Sequence, residues 1–256
     1  MRLAILIFSF YFILPGCGNH SGVEYRPVTI EGEQFLAKIT YENGQLKSEK
    51  LLTIDSLPQG YYREYSQGKL ICRGSFREGK KDSTWVYYKG GGKHIERYEN
   101  WFYGKRFGEQ QELYPNGNIK QLSFFNPMER TLFKMEFDTV QMMTNIQGFP
   151  LYVAYNKTDL NKGDTFDFMC FFGKSVPGYS VKIELTESDN KTKERLYSAN
   201  IPNDTLTIDL PFAKKYMRNI AYANAGSYDW FLNYSLMNSA GNTKMADTMH
   251  ILVNVR

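Results

Sequence analysis

The chain has 256 residues, of which 42% are hydrophobic, 23% charged and 16% aromatic, and its formal net charge is +4. This composition excludes a disordered or collagen-like chain, and the balance of 31 basic and 27 acidic residues lacks the strong basicity of nucleic-acid-binding proteins. With 19 Tyr and 18 Phe but only three His and three Cys, the chain is rich in packing groups and poor in common catalytic side chains.

Residues 1–16 are predicted to be a lipoprotein signal peptide. Arg2 precedes an apolar run over residues 3–14, which is shorter than the roughly 20 residues that a membrane span requires. The run ends in Leu14-Pro15-Gly16-Cys17, which resembles the bacterial lipobox. The resemblance implies that a lipidated Cys17 anchors the mature chain in the cell envelope, at the outer membrane on its periplasmic face or at the cell surface. A plain secretory signal is the alternative interpretation.

Two cysteines, Cys72 and Cys170, remain if Cys17 carries the lipid. Both lie in stretches that predict strands, and both are predicted to be buried free thiols. A disulfide between them is the alternative, because an oxidising compartment permits one. Residues 17–40, which follow the signal peptide, are predicted to form a polar tether and a lead-in strand.

A repeat of about 24 residues fills residues 41–126. Its turn glycines are Gly44, Gly68, Gly92 and Gly117, at intervals of 24, 24 and 25 residues, with a second pair, Gly79 and Gly104, 25 residues apart. Asn43-Gly44 and Asn116-Gly117 predict two-residue type I′ turns, which need positive φ at both central positions. A repeat therefore holds two strands and two turns, and neighbouring hairpins stack into one antiparallel sheet.

The repeat resembles the MORN repeat, particularly its bacterial variant. The resemblance rests on Gly60-Tyr61-Tyr62-Arg63-Glu64-Tyr65 through Gly68-Lys69, and on Gly74-Ser75-Phe76 through Gly79-Lys80. Ser83 stands where the pattern has a glycine, and Gln110 where it has an aromatic residue. The resemblance implies an elongated, twisted sheet used as an interaction surface; some bacterial relatives are labelled antitoxin or immunity components, and some eukaryotic ones are tied to membranes.

Five repeat aromatics are the candidate binding residues. They are Tyr62, Tyr65, Trp85, Tyr88 and Trp101. An exposed row of such rings suits a protein partner or a glycan that stacks on them. The alternative for each ring is packing within the sheet, as a member of a cross-strand ladder.

Residues 128–256 are predicted to form an immunoglobulin-like β-sandwich, so the predicted fold class is all-β throughout. Strand-like runs recur at the spacing of such a sandwich, over residues 151–155, 165–172, 180–187, 194–199, 205–210, 229–236 and 249–255. Tyr228 is predicted to mark the corner before the penultimate strand, where its hydroxyl bonds back to the chain. Residues 212–219 are assigned to a short helical turn.

The chain offers few groups for catalysis or for metal binding. His20, His94 and His250 are far apart, and none has a second ligand at metal-binding spacing. Residues 90–93, Gly-Gly-Gly-Lys, lack the flanking strand and following helix of a phosphate loop and are interpreted as a loosened hairpin turn. The acidic residues in 159–167 are too few for a Ca²⁺ site. No catalytic residue, metal or cofactor is predicted.

These features favour a lipid-anchored, non-catalytic binding or scaffolding protein of the cell envelope. Its expected contacts are the membrane, through Cys17, and another envelope protein or a glycan. No nucleic-acid partner is expected, because basic and acidic residues interleave throughout. The alternatives are an immunity or antitoxin partner, which the repeat family implies, and a hydrolase of envelope glycans, which needs two carboxylates close together.

Overall fold

The computed structural model describes the backbone of residues 21–172, 179–189, 195–200, 208–209 and 214–256, so the predicted signal peptide and Cys17 lie outside the described residues. The described residues form 21 β-strands and no helix, and they therefore include no helix that could cross a membrane. The chain divides into two compact units between Gly148 and Phe149. The all-β fold class is confirmed.

The first unit is a single antiparallel sheet of twelve strands. Its strands are β1 (Gly22–Ile30), β2 (Glu33–Glu42), β3 (Gln45–Leu52), β4 (Pro58–Ser66), β5 (Lys69–Arg77), β6 (Lys80–Lys89), β7 (His94–Phe102), β8 (Lys105–Arg106), β9 (Gly108–Leu113), β10 (Ile119–Phe125), β11 (Thr131–Phe137) and β12 (Met143–Gly148). Each strand pairs with its neighbour in sequence, except that β8 and β9 both pair with β7. The prediction of stacked hairpins is confirmed.

The sheet extends beyond the repeat signature at both ends. Strands β1 and β2 precede most of the repeat, and β11 and β12 continue the sheet through Gly148. The second unit therefore begins at Phe149 and not at residue 128, where the sequence placed it. The alternating segment over residues 131–137 belongs to the first sheet because it pairs with β10 along its length.

Two-residue turns with a glycine in second place join most of the early strands. Both turn residues have positive φ at Glu31-Gly32, Asn43-Gly44, Gln67-Gly68, Glu78-Gly79 and Tyr103-Gly104. This is the type I′ geometry, whose twist matches that of the flanking strands. The prediction is confirmed for Asn43-Gly44, and residues 90–93 do form a loosened turn, in which three successive glycines have positive φ.

The prediction was wrong for Asn116-Gly117, where only Gly117 has positive φ. The amide of Tyr114 donates to the carbonyl of Asn118, and the amide of Gly117 donates to the carbonyl of Tyr114. This is a three-residue loop in which a type I turn is followed by a left-handed residue. Pro115 explains the difference, because proline fixes a negative φ suited to the first turn position.

The two departures from the repeat pattern have structural explanations. Gly60, Ser83 and Gly108 stand at the same repeat position and all have positive φ, so Ser83 adopts a backbone conformation that favours glycine. Gln110 replaces a missing part of the ladder between β7 and β9. Its side-chain oxygen accepts from the Asn100 amide and its side-chain nitrogen donates to the Asn100 carbonyl, both at 2.9 Å.

Replacing Ser83 by Gly should raise the free energy of unfolding of the first unit by about 0.5–1 kcal/mol, because a left-handed backbone costs a non-glycine residue about that much more. Urea denaturation measures the change. Ser75→Gly is the matched control, since Ser75 has no positive φ and its hydroxyl donates to the Gly60 carbonyl. We expect this control to be destabilised; equal losses in both variants would contradict the assignment of strain to Ser83.

The second unit contains two packed sheets. Its strands are β13 (Leu151–Tyr155), β14 (Asp159–Leu160), β15 (Thr165–Phe172), β16 (Tyr179–Asp189), β17 (Arg195–Asn200), β18 (Ile208–Asp209), β19 (Lys214–Ala221), β20 (Gly226–Asn238) and β21 (Thr243–Val255). The strand orders are β13-β15-β19-β18 and β14-β21-β20-β16-β17, and β14 with β21 is the parallel pair. Phe166 and Phe168 of one sheet meet Trp230 of the other, with ring centroids 6.4 and 5.8 Å apart.

Two local predictions for the second unit have opposite outcomes. The Tyr228 corner is confirmed, because its hydroxyl donates to the Asn224 carbonyl at 3.1 Å just before the penultimate strand β20. The helical turn over residues 212–219 is wrong in its described part, where β19 pairs with β15 along its whole length. Tyr216 of this strand is completely buried, and its packing outweighs the local helical preference.

Candidate functional site

Three of the five predicted binding aromatics lie on one face of the first sheet. We call this the aromatic face, formed by Tyr62, Phe76, Trp85, Tyr87 and Trp101. The register brings them together on β4 to β7, because Tyr62 lies opposite Gly74 and Trp85 lies opposite Glu99. Side chains alternate along a strand, so Trp85 and Tyr87 share this face.

The rings of the aromatic face contact one another at close-packed distances. The centroid of Tyr62 is 5.5 Å from that of Phe76 and 5.3 Å from that of Trp85, and the Phe76 and Trp85 centroids are 5.1 Å apart. Both contacts of Phe76 are edge-to-face, an arrangement that the ring quadrupoles favour. The indole nitrogen of Trp85 donates to the Ser75 carbonyl at 3.1 Å, which fixes the ring against β5.

Trp85 is only 2% exposed, whereas Tyr62, Phe76, Tyr87 and Trp101 are half-buried. The structure therefore assigns Trp85 to packing and not to direct contact with a ligand. The physical reason is that neighbouring rings and the side chain of Lys81 cover it. The half-buried rings around it have surface left for a partner.

Charged groups lie among these rings. The Lys81 ammonium is 4.2 Å from the Trp85 ring centroid and 4.6 Å from that of Trp101. The Arg97 guanidinium carbon is 3.8 Å from the Tyr87 centroid, and Arg97 Nε donates to Glu99 at 2.9 Å. Burial lowers the pKa of Arg97, but its hydrogen bond and charge attraction to Glu99 outweigh burial, so the pKa stands above its usual value.

Tyr65 and Tyr88 lie on the opposite face, so the five predicted residues do not form one surface. Each is three positions from an aromatic of the first group, and an odd separation along a strand places side chains on opposite faces. The Tyr65 hydroxyl donates to Glu49 at 3.3 Å on this opposite face. Sequence reasoning missed Phe76 as a binding candidate, together with Lys81 and Arg97, although Tyr87 was accessible from its alternation with Trp85.

Tyr62 gives the aromatic face a pH dependence. Burial, with the nearby charge of Glu64, raises the pKa of the Tyr62 phenol from 10.0 to about 12. A raised phenol pKa means that the folded state holds the proton more tightly than the unfolded state does. Its stabilising contribution is therefore complete below pH 10 and is lost as the pH rises from 10 to about 12.

We expect Tyr62→Phe to reduce the fall in unfolding free energy between pH 10 and 12, because the variant has no phenol to ionise at this position. Urea denaturation at a series of pH values, with tyrosinate absorbance recorded in parallel, measures this slope. A slope that is the same in the variant and the wild type would show that Tyr62 does not titrate in this range.

Both described cysteines are free and buried, as predicted. Burial raises the pKa of the Cys72 thiol to about 11 and also raises the pKa of Cys170. A thiol with so high a pKa is a poor nucleophile at neutral pH, because the thiolate is the reactive form. Cys72 and Cys170 therefore act as small packing groups.

The second unit holds two further polar groupings. His250 contacts the carboxylate of Asp229, and its ring stacks on Phe231 with centroids 4.9 Å apart. In the interior, the Tyr222 hydroxyl donates to Glu187 at 2.7 Å and accepts from the Trp230 indole at 2.8 Å. The second arrangement binds a buried carboxylate to one sheet through the other and is a packing feature.

A shallow depression of about 380 Å³ lies on the sheet of β16, β20 and β21. Two carboxylates line it, Glu184 and Asp247. The Thr248 amide and the Tyr234 hydroxyl donate to Asp247, and they lower the pKa of its carboxyl. A carboxyl held in its ionised form is unsuited to the proton donor that glycoside hydrolysis requires.

The acidic cluster over residues 159–167 is used for local structure. Asp164 pairs with Lys157 at 2.7 Å, and Asp167 accepts from Asn219 at 2.8 Å. Within the ranges that the structure describes, no group of three or more His, Cys, Asp or Glu side chains stands close enough to hold a metal ion.

No protein-family model matches the chain, and no curated protein matches it in sequence. The arguments for function therefore rest on the geometry of the aromatic face and on the residues around Cys17.

Proposed function

We propose that the protein is a non-catalytic binding or scaffolding module held in the cell envelope by a lipid on Cys17, and that the aromatic face receives its partner. The observation that carries this proposal is the set of contiguous half-buried rings, Tyr62, Phe76, Tyr87 and Trp101, with the cations of Lys81 and Arg97 among them. Such a surface combines stacking area with hydrogen-bond donors. Its partner is another envelope protein or an envelope glycan.

We also propose family assignments for the two units. The 24-residue hairpin period and the left-handed position shared by Gly60, Ser83 and Gly108 support a bacterial variant of the MORN repeat in the first unit. Two packed, mainly antiparallel sheets and the Tyr228 corner support an immunoglobulin-like sandwich in the second.

Site-specific photo-crosslinking in growing cells tests the binding proposal. A photoreactive phenylalanine analogue replaces Trp101 on the aromatic face, and in a matched variant it replaces Tyr88 on the opposite face. We expect a crosslinked product from position 101 and little or none from position 88, and its mass and protease sensitivity distinguish a protein from a glycan partner. Equal crosslinking at the two positions, or none at position 101, would contradict the proposal.

Metabolic labelling with palmitate tests the anchor separately. The wild-type chain should incorporate label and should accumulate as a precursor when lipoprotein signal peptidase is inhibited. Cys17→Ala should abolish both effects, whereas Cys72→Ala, which removes a buried thiol, should leave them unchanged. Labelling that survives Cys17→Ala would show that the anchor assignment is wrong.

A further inference from the structure

Lys81 occupies a cage of three aromatic rings. Its ammonium lies 4.2 Å from the centroid of Trp85, 4.6 Å from that of Trp101 and 5.6 Å from that of Tyr87. It also donates to the Tyr87 hydroxyl at 2.8 Å. Several rings around one ammonium form the arrangement with which proteins recognise cationic ligands, at about 0.5–2 kcal/mol for each well-placed ring.

The position of Lys81 is fixed from the backbone. Its carbonyl accepts from the amide of Gly104 at 2.8 Å, which holds the start of β6 against the turn between β7 and β8. Trp85 is fixed in turn by its bond to the Ser75 carbonyl, and the Trp101 indole nitrogen donates to Glu99 at 3.2 Å. Two cage walls therefore have hydrogen bonds that do not involve Lys81, and the cage does not depend on the ammonium alone.

The next repeat shows what this position looks like without a cage. Arg106 stands 25 residues after Lys81, and its guanidinium carbon lies 4.8 Å from the ring centroid of Phe125, which stands 24 residues after Trp101. The positions that correspond to Trp85 and Tyr87 hold Gln110 and Glu112. A cation over one ring thus occurs in both repeats, whereas three rings surround the cation only at Lys81.

We propose that Trp85, Tyr87 and Trp101 form a binding site for an organic ammonium ion, and that the chain fills this site with its own Lys81. The filled cage excludes cationic groups of a partner from the aromatic face and offers them an ammonium instead, which favours partners that carry hydrogen-bond acceptors. The statement about partners rests on the proposed function of this face, but the statement about the cage does not.

Lys81→Ala in the full chain should open the site. The probe is tetramethylammonium chloride, titrated against sodium chloride at equal ionic strength, and the indole N–H signals of Trp85 and Trp101 are followed by NMR. We expect saturable shifts of these two signals with a Kd on the order of 1–10 mM, at least about tenfold tighter than in the wild type. Trp230, which is buried in the second unit, serves as an internal reference.

Two further variants make the result specific. Arg106→Ala removes the cation at the corresponding repeat position, where only one ring is present, and should bind the probe no better than the wild type does. Lys81→Arg keeps a cation in the cage and should stay closed. If Lys81→Ala does not fold, Lys81→Gln, which retains most of the side-chain length without the charge, is titrated in its place.

A folded Lys81 variant without saturable shifts at Trp85 and Trp101 would overturn the proposal, and so would equal binding by Arg106→Ala. Because the probe is a defined small cation, this outcome is independent of the crosslinking result. Failure of the crosslinking experiment with success here would leave the cage intact and remove the partner surface.

Discussion

Replacing Gly148 by Ala should lower the free energy of unfolding of the first unit by about 4 kcal/mol, the largest effect that we expect from a single added methyl group. A Cβ at this position would overlap the carbonyl oxygen of Leu132 and would lie 2.9 Å from its carbonyl carbon. The obstacle is backbone of the paired strand β11, so β12 has to move away from its neighbour. Overpacking contributes about 3 kcal/mol, and the positive φ of 68° adds about 1 kcal/mol.

The matched control is Gly117→Ala in the same sheet. Gly117 also has positive φ, at 87°, but a Cβ there meets nothing within 4 Å. This variant should therefore lose only the conformational part, about 1 kcal/mol. Urea denaturation with hydrogen exchange of the β11 and β12 amides measures both variants. Similar losses in the two would show that steric overlap with Leu132 does not determine the effect.

Gly74→Ala should cost about 3 kcal/mol because of the indole that lies across this glycine. A Cβ at Gly74 would overlap the Trp85 ring and would approach its Cγ to 2.6 Å. The ring is buried and has to leave its place, which disrupts its contacts with Tyr62 and Phe76 and its bond to the Ser75 carbonyl. Hydrogen exchange of the β5 and β6 amides, combined with urea denaturation, reports the loss.

Two comparisons test this explanation. Gly22→Ala, at a position with ordinary φ and open space, should change stability by less than about 0.5 kcal/mol. Trp85→Gln copies the residue found one repeat later, where Gln110 faces Glu99 instead of a glycine. The double variant Gly74→Ala/Trp85→Gln should cost less than the sum of the single variants by about 1–2 kcal/mol. Additive losses would contradict the contact between Gly74 and Trp85.

Much of the local structure follows from the sequence because turns are set by neighbouring residues. Asn43-Gly44 and the glycines at positions 90–92 indicate hairpin turns, since positive φ is nearly free of strain in glycine. Strands β13 and β15 have the predicted bounds because short apolar runs flanked by turn residues specify them. The Tyr228 bond to Asn224 was also accessible, because the residues involved are four positions apart.

Other features depend on contacts between distant parts of the chain. β19 was assigned to a helical turn because its sequence does not favour a strand, and its pairing with β15 decides its structure. The side-chain amide of Gln110 replaces a ladder bond only because β8 separates β7 from β9. Sequence spacing also gave no sign that Lys81 reaches Trp101, since this contact joins adjacent strands twenty residues apart.

The candidate site shows both levels in one place. The repeat pattern identified Tyr62, Trp85 and Trp101, and the register brings them onto one face. The pattern did not separate them from Tyr65 and Tyr88 on the other face, nor did it reveal that Trp85 is buried. Burial depends on the Gly74 backbone and on the neighbouring rings, whose positions are fixed only by strand pairing.

Hydroxyl-radical footprinting of the full chain is the most direct test of the claim that the aromatic face is the binding surface. Oxidation is compared between the intact cell envelope and the purified protein in detergent, residue by residue, by mass spectrometry. We predict that Phe76 and Trp101 are oxidised less in the envelope, while Tyr61 and Tyr65 on the opposite face are oxidised equally in both. Protection of the opposite face alone, or no protection at Phe76 and Trp101, would contradict the account.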